Sequence, residues 1–119
     1  MSEVQRHLSP DGRYCIAIGS YEMRMSHWIN SAALLRIEPR ELLLDMGDSL
    51  WSTDLVEWSA DSRCVTVEMR RYPGDGPSIT LDLLPDEMLA VPHAPADTQP
   101  VSFASFNTFL DDFHHRRRQ

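Results

Sequence analysis

The sequence predicts a mainly β fold, in which two copies of an antiparallel meander form an open twisted sheet or sandwich with one amphipathic helix at the C-terminal end. Three observations carry this expectation. A polar turn feeding a β-favouring run occurs twice, first as Leu8-Ser9-Pro10-Asp11-Gly12-Arg13-Tyr14-Cys15-Ile16-Ala17-Ile18 and again as Trp58-Ser59-Ala60-Asp61-Ser62-Arg63-Cys64-Val65-Thr66-Val67-Glu68. A period of roughly fifty residues marks stacked supersecondary units rather than a chance likeness. Between and after these turns the apolar residues alternate with a period of two, the mark of a half-exposed strand. Beyond Pro100 the spacing changes to three or four at Phe103, Phe106, Leu110 and Phe113, the mark of a helix with one apolar face.

The first unit is expected over residues 8–46. Residues 13–21 form a strand with Tyr14, Ile16 and Ile18 on one side, and a polar bend covers residues 25–30. A second strand runs over 31–38, and Pro39-Arg40 turns the chain, because proline fixes φ and cannot donate to a ladder. A third strand over 41–46 places Leu42, Leu44 and Met46 on a shared face.

An acidic connection over 45–54 leads to the second unit, expected over residues 55–91. Residues 55–58 make a short strand entering the second turn, with Trp58 filling the core at its start. In the run 64–71, Val65, Val67 and Met69 alternate with Thr66, Glu68 and Arg70. The segment 72–77 is a hairpin loop rich in Pro and Gly, after which Ile79, Leu81 and Leu83 alternate on the returning strand and residues 88–91 close the set. Leu83-Leu84-Pro85-Asp86-Glu87-Met88-Leu89 echoes Ile37-Glu38-Pro39-Arg40-Glu41-Leu42-Leu43. Residues 92–101 form a Pro-rich linker, and 102–116 form the helix, with Ser102 as its cap and Asp111-Asp112 on its far side. Its phenylalanines need burial, most simply against an open face of the chain's own sheet; a groove on a partner is the alternative.

Bulk properties bound the function. At 119 residues the chain is one domain, long enough to bury a core without staples. No stretch reaches the length of a membrane span, and residues 1–7 lack the apolar core of a secretory signal, so the expected compartment is the cytoplasm. Every basic residue is arginine, a usage that fits a GC-rich bacterial coding bias. Net charge is −7, and three of the 11 arginines sit together at Arg116, Arg117 and Arg118. An acidic body repels nucleic acid and steers toward a basic partner, or serves solubility alone. Cys15 and Cys64 fall on opposite faces of equivalent strands and read as small buried hydrophobes rather than as a disulfide or a metal site.

The turn Ser9-Pro10-Asp11-Gly12-Arg13-Tyr14, followed by strand, hairpin and strand, resembles the blade repeat of bacterial β-propellers, including the Tol-system and prolyl oligopeptidase propellers. Trp58-Ser59-Ala60-Asp61-Ser62-Arg63 resembles a degenerate second copy, and the likeness covers residues 8–91. The resemblance implies blade-like units and a binding role. A closed ring needs at least four blades, so two units leave either an open sheet or sandwich, or a ring completed by several chains.

Chemistry-bearing motifs are few. Gly47-Asp48-Ser49-Leu50 resembles the nucleophile block of the Gly-Asp-Ser-Leu esterases, and Asp111 and His114 have the Asp-x-x-His spacing that such enzymes place near their C-terminus. That family builds a parallel α/β sheet, whereas the intervening residues here read as antiparallel strands, so an esterase ranks third. The histidines lack ligand spacing for a metal, and no cofactor motif is present. The remaining candidate is a partner-binding surface, in which the carboxylates of Asp45, Asp48, Asp54 and Glu57 surround Trp51, with Trp28 as a second exposed aromatic.

The expected function is therefore a non-catalytic bacterial immunity protein or antitoxin. It would act as a monomer or dimer that occludes a cognate toxin, in the concrete form a basic nuclease. The alternative is an assembly module that oligomerises through incomplete propeller units.

Overall fold

The computed structural model describes residues 3–22, 28–46, 51–71, 78–93 and 99–118. Strands β1 (Glu3–Leu8), β2 (Tyr14–Glu22), β3 (Trp28–Arg36) and β4 (Glu41–Met46) form a four-stranded antiparallel meander in chain order. Strands β5 (Trp51–Trp58), β6 (Val65–Arg71), β7 (Ile79–Leu84), β8 (Leu89–Pro92) and β9 (Val101–Ser102) form a five-stranded one, also in chain order. A 3-10 turn, Phe103–Ser105, leads into helix α1, Phe106–Arg118. Among the described residues the fold is mainly β, with two antiparallel sheets, no closed barrel and a C-terminal helix.

Several elements differ from the sequence expectation. Strand β1 has a mostly polar sequence, EVQRHL, and owes its form to six consecutive pairings with β2, from Glu3↔Ser20 to Leu8↔Cys15. Strand β3 begins at Trp28, inside the stretch expected to bend, and β5 begins at Trp51 rather than at Leu55. The expected hairpin loop at 72–77 lies outside the described residues. At the end of the expected linker, β9 pairs back onto β8 through Leu89↔Ser102 and Ala90↔Val101. Ser102 precedes the 3-10 turn and makes no side-chain capping bond. In β4 the shared face is broken. The register shifts between Leu34 and Leu35, so that Leu44 pairs with Leu34 while Leu42 pairs with Leu35. This irregularity sends Leu42 outward, where it is 57% exposed, and leaves Leu44 and Met46 buried.

One core joins the two sheets. Ile16, Leu34, Leu44 and Met46 of the first meet Val65, Val67, Met69, Leu81 and Leu83 of the second. Phe103, Phe106 and Leu110 complete the same cluster, with Phe109 and Phe113 packed against it. The helix thus covers its own sheets, as its apolar stripe requires, while Asp111 and Asp112 stay exposed.

The two repeat turns are built alike, bond for bond. In the first, Ser9 N donates to Tyr14 O (2.9 Å), Gly12 N to Ser9 O (2.9 Å), Ser9 Oγ to Asp11 Oδ1 (2.8 Å), and Arg13 N to the same oxygen (3.0 Å). In the second, Ser59 N donates to Cys64 O (2.8 Å), Ser62 N to Ser59 O (3.0 Å), Ser59 Oγ to Asp61 Oδ1 (2.7 Å), and Arg63 N to that oxygen (3.0 Å). Both need a left-handed residue at the same place, supplied by Gly12 at φ 77° and by Ser62 at φ 63°. The second echo is met differently: the first unit turns through a cis Glu38–Pro39 peptide, the second through Met88 at φ 56°.

The turns also touch. Asp11 N donates to Ser62 Oγ at 2.9 Å, and Trp58 Nε1 donates to His7 O at 2.9 Å. Trp58 is half-buried rather than central: it stacks on Tyr14, with ring centroids 6.5 Å apart and planes 11° from parallel. The Tyr14 hydroxyl donates to Asp86, whose carboxylate also faces the Arg13 guanidinium at 3.3 Å. The Arg13 side chain holds the Asp11 carboxyl down at about 2, from an ordinary 3.8, with help from Arg13 N and Ser9. Asp61 is lowered by the Ser59 hydroxyl and then by Arg63 N, and Asp86 by the Tyr14 hydroxyl and then by Arg13.

Ser62→Gly removes both the left-handed strain and the acceptor for Asp11 N, while Ser62→Ala keeps the strain and removes the acceptor. Urea denaturation is expected to rank wild type above Ser62→Gly and Ser62→Gly above Ser62→Ala, with about 1 kcal/mol between the two variants. The lowered carboxyls favour folding in their ionised form. Their contribution is complete above the unfolded value of 3.8 and is lost as pH falls toward 2. A thermal series should therefore show Asp11→Asn with a lower Tm than wild type at pH 7, and a gap that closes as the pH approaches 2.

Candidate binding face of the first sheet

Of the residues expected to form one acidic, aromatic surface, the described ones do not share it: Trp51 is buried, and Asp45 stands on a different sheet from Asp54 and Glu57. Trp51 is 1% exposed and belongs to the shared core, its ring edge-on to His114 with centroids 6.3 Å apart. It is a packing residue, because β5 begins at Trp51 and its first three residues are all buried. Asp54 is exposed but held. It accepts from Arg70 Nε at 2.6 Å, from Ser52 Oγ at 3.0 Å and from Asn30 Nδ2 at 3.4 Å. Asp45 and Glu57 are exposed on different sheets, on β4 and β5. Asp48 lies outside the described residues, as does the side chain of Trp28, whose backbone opens β3.

Of the esterase constellation, only Asp111 and His114 fall among the described residues. Ser49 lies outside the described residues. Asp111 is exposed, whereas His114 is buried against Trp51 with Arg71 Nη1 3.5 Å from its Nε2. No group of three or more His, Cys, Asp or Glu able to hold a metal occurs among the described residues. No helix among them is long and apolar enough to cross a membrane.

The two outer faces differ sharply in chemistry. Residues directly opposed in an antiparallel ladder share a face, so the pairings read out complete rows. Across the second sheet, Glu57, Thr66, Asp82 and Val91 form one row, and Leu55, Glu68 and Thr80 another. These polar groups satisfy each other: Thr66 Oγ1 donates to Asp82 at 2.6 Å, and His93 Nε2 lies 2.9 Å from the same carboxylate. Burial pushes the Asp82 carboxyl up, but Thr66 and His93 outweigh it and leave a net lowering. That face is mostly polar, with Leu55, 44% exposed, in its second row.

Across the first sheet, Leu8, Cys15, Leu35 and Leu42 form a single row spanning all four strands. Arg6, Ala17, Ala33 and Asp45 form the next row, and Gly19 pairs with Ser31 beyond it. The centre of the face is small and apolar, and a side chain added at Gly19 would meet nothing within 4 Å. Its flanks are large: Leu8 is 59% exposed, Leu42 57% and Ile37 38%. These three are among the five exposed large hydrophobics of the described chain, and their clustering is what separates a docking surface from scattered apolar residues.

A groove of about 320 Å³ opens at one end of this face, lined by Arg6, Leu8, Cys15, Leu35, Arg36, Ile37 and Arg40. Burial raises the Cys15 thiol. Arg36 is bridged to Glu41 at 2.7 Å, while Arg6 and Arg40 are exposed and have no ion-pair partner among the described residues. A smaller cleft of about 150 Å³ lies between the sheets, lined by Gln5, His7, Ile18, Asn30, Thr53, Asp54 and Val56. Thr53 Oγ1 is buried there without a hydrogen-bond partner, and the polar lining suits a few water molecules.

Sequence reasoning missed this face for two reasons. Strand β1, which supplies Arg6 and Leu8, was not expected, and Leu42 was expected on one face with Leu44 and Met46. The alternation of Cys15, Ala17 and Gly19 with Tyr14, Ile16 and Ile18 did carry a signal, since the solvent side of β2 contains no charged residue. No family model, curated protein or solved structure matches this chain.

The contrast between core tryptophan and surface carboxylate is directly measurable. Trp51→Ala is expected to cost about 3–5 kcal/mol in urea denaturation, while Glu57→Gln stays within about 0.5 kcal/mol of wild type.

Proposed function

We propose that this chain is a non-catalytic binding protein of the immunity or antitoxin kind, which silences a partner protein by covering it. One observation carries the reading: the outer face of the first sheet holds an apolar row from Leu8 to Leu42 with both ends exposed, while the outer face of the second sheet is mostly polar, with Thr66 and His93 both held by Asp82. A row of aliphatic side chains with a polar rim is the anatomy of a protein interface. The charge of −7 favours a toxin with a basic surface, such as a nuclease, because opposite fields accelerate encounter. Asp45, at the β4 end of the second row, supplies a carboxylate on the rim of the same face. The proposed site therefore retains Asp45 and moves from Trp51 and its acidic neighbours to the apolar row.

The assembly-module reading draws on the same face, covered by a further copy of the chain. One experiment separates the two. The protein, tagged at its C-terminus, is captured at low salt from a bacterium encoding it, beside a Leu8→Asp/Leu42→Asp variant of matching Tm. A stoichiometric partner is expected, with at least tenfold weaker retention on the variant, about 1.4 kcal/mol. A partner retained equally by both would overturn the assignment of the face. A discrete oligomer of the chain alone, dissociated by the two substitutions, would replace the neutraliser with the assembly module.

A further inference from the structure

We infer that the groove at the end of the first sheet reads an acidic residue set beside an aliphatic one in an extended segment of the partner protein. The inference rests on the partner-binding role proposed above and adds what that face recognises. Its lining is bipartite. Leu8, Cys15, Leu35 and Ile37 make an apolar floor, and Arg6, Arg36 and Arg40 supply three guanidiniums around it. In a chain with 18 acidic residues and 11 basic ones, three arginines line one groove of about 320 Å³, one of them paired with Glu41.

Two of those cations are uncommitted. Arg36 already holds Glu41, whereas Arg6 and Arg40 face solvent with no ion-pair partner among the described residues. A guanidinium is a fork of donors matched to a carboxylate, and a bidentate pair fixes orientation as well as charge. The floor beneath accepts an aliphatic side chain and excludes water from the pair, which strengthens it relative to a fully solvated bridge. A lone anion would use the rim and leave the floor exposed; a neutral apolar segment would leave both arginines unused. The combination fits a segment with alternating aspartate or glutamate and leucine-like residues.

A protein segment fits better than a free small molecule because the apolar surface does not end at the groove. The row continues from Leu35 to Leu42, outside the groove lining and 57% exposed, so an occupant that covers the whole strip must be longer than the groove itself. An extended peptide lying across the four strands, with a carboxylate between Arg6 and Arg40, satisfies both requirements.

Amide and arginine Nε resonances of the folded chain can be followed while acetyl-Leu-Asp-Leu-amide is added, with acetyl-Leu-Lys-Leu-amide and decanoate as parallel titrations. Saturable shifts at Leu8, Cys15, Leu35, Ile37 and the Arg6 and Arg40 Nε signals are expected with the aspartyl peptide. They should be at least fivefold weaker in Arg6→Gln/Arg40→Gln and weaker again as salt rises. Both arginines are exposed, so the variant should keep the wild-type spectrum elsewhere; Arg40→Gln alone, with about half the effect, is the check if it does not. Equal binding of the lysyl peptide, or no saturable shift with the aspartyl one, overturns the inference. Saturation by decanoate alone does so too, and reassigns the groove to a free aliphatic carboxylate. If the groove fails in this way while Leu8→Asp/Leu42→Asp still releases the captured partner, the neutraliser reading stands and only the acidic–aliphatic recognition falls.

Discussion

The bond from Asp11 N to Ser62 Oγ joins the two repeats at their tightest turns, and much of the architecture follows from it. Each turn is a closed Ser–Asp–Arg lock, in which a serine and the following aspartate satisfy the backbone donors that a sharp reversal exposes. Because the left-handed residue of the second turn is a serine and not a glycine, it carries a hydroxyl that the first turn can use. The strain of a positive φ at Ser62 is thus coupled to a contact between units that Gly12, its counterpart, lacks the side chain to make. From that seam Trp58 reaches back to His7, Tyr14 stacks on Trp58, and Asp86 collects both Tyr14 and Arg13. The seam sets the inner faces of β2 and β6 toward each other, and the core fills the space between.

Matching the two turns at their shared bonds pairs Tyr14 with Cys64 and Ile16 with Thr66, so the core-facing rows of the two units are one residue out of step. Both units must still present apolar side chains to the shared core, which Tyr14, Ile16 and Ile18 of β2 and Val65, Val67 and Met69 of β6 do. The outer faces are under no such common requirement. On the second sheet they are mostly threonines and charged residues; on the first they are mostly cysteine, alanine, glycine and leucine. An apolar outer face costs solubility when left bare, which the strong negative charge elsewhere offsets. That asymmetry between otherwise matched units locates the proposed function on the first sheet.

Local signals made much of the fold legible. The repeated turns could be read because their chemistry lies within six consecutive residues, and β4 was read at its observed bounds because proline and arginine delimit it. The helix could be read because four phenylalanines change period together. What stayed hidden depended on partners far away in the chain. Strand β1 has little propensity of its own and is created by pairing with β2. Leu42 points outward through a register shift opposite Leu34 and Leu35, which no alternation rule within β4 alone reveals. Trp51 stands among aspartates in sequence, yet is buried because α1 brings His114 and Leu110 over it from sixty or so residues away. The candidate site suffered most, since composition near a tryptophan says less about exposure than the strand's position does.

The arginine-lined groove and the acidic body act over different distances, and this resolves their apparent conflict. A net charge of −7 is felt at about a Debye length, roughly 8 Å at physiological salt, and governs which partners approach and how fast. Contact is decided within hydrogen-bonding range, where only the groups on the face count, and there Arg6 and Arg40 stand against Asp45 across a small-residue centre. A basic partner that presents a local acidic–aliphatic segment is attracted by the first field and oriented by the second. A partner that is basic throughout would be drawn in and then meet unpaired guanidiniums over an apolar floor, a mismatch that costs affinity after encounter. On the proposed reading, specificity would follow from opposing the sign of the docking site to the sign of the molecule that bears it.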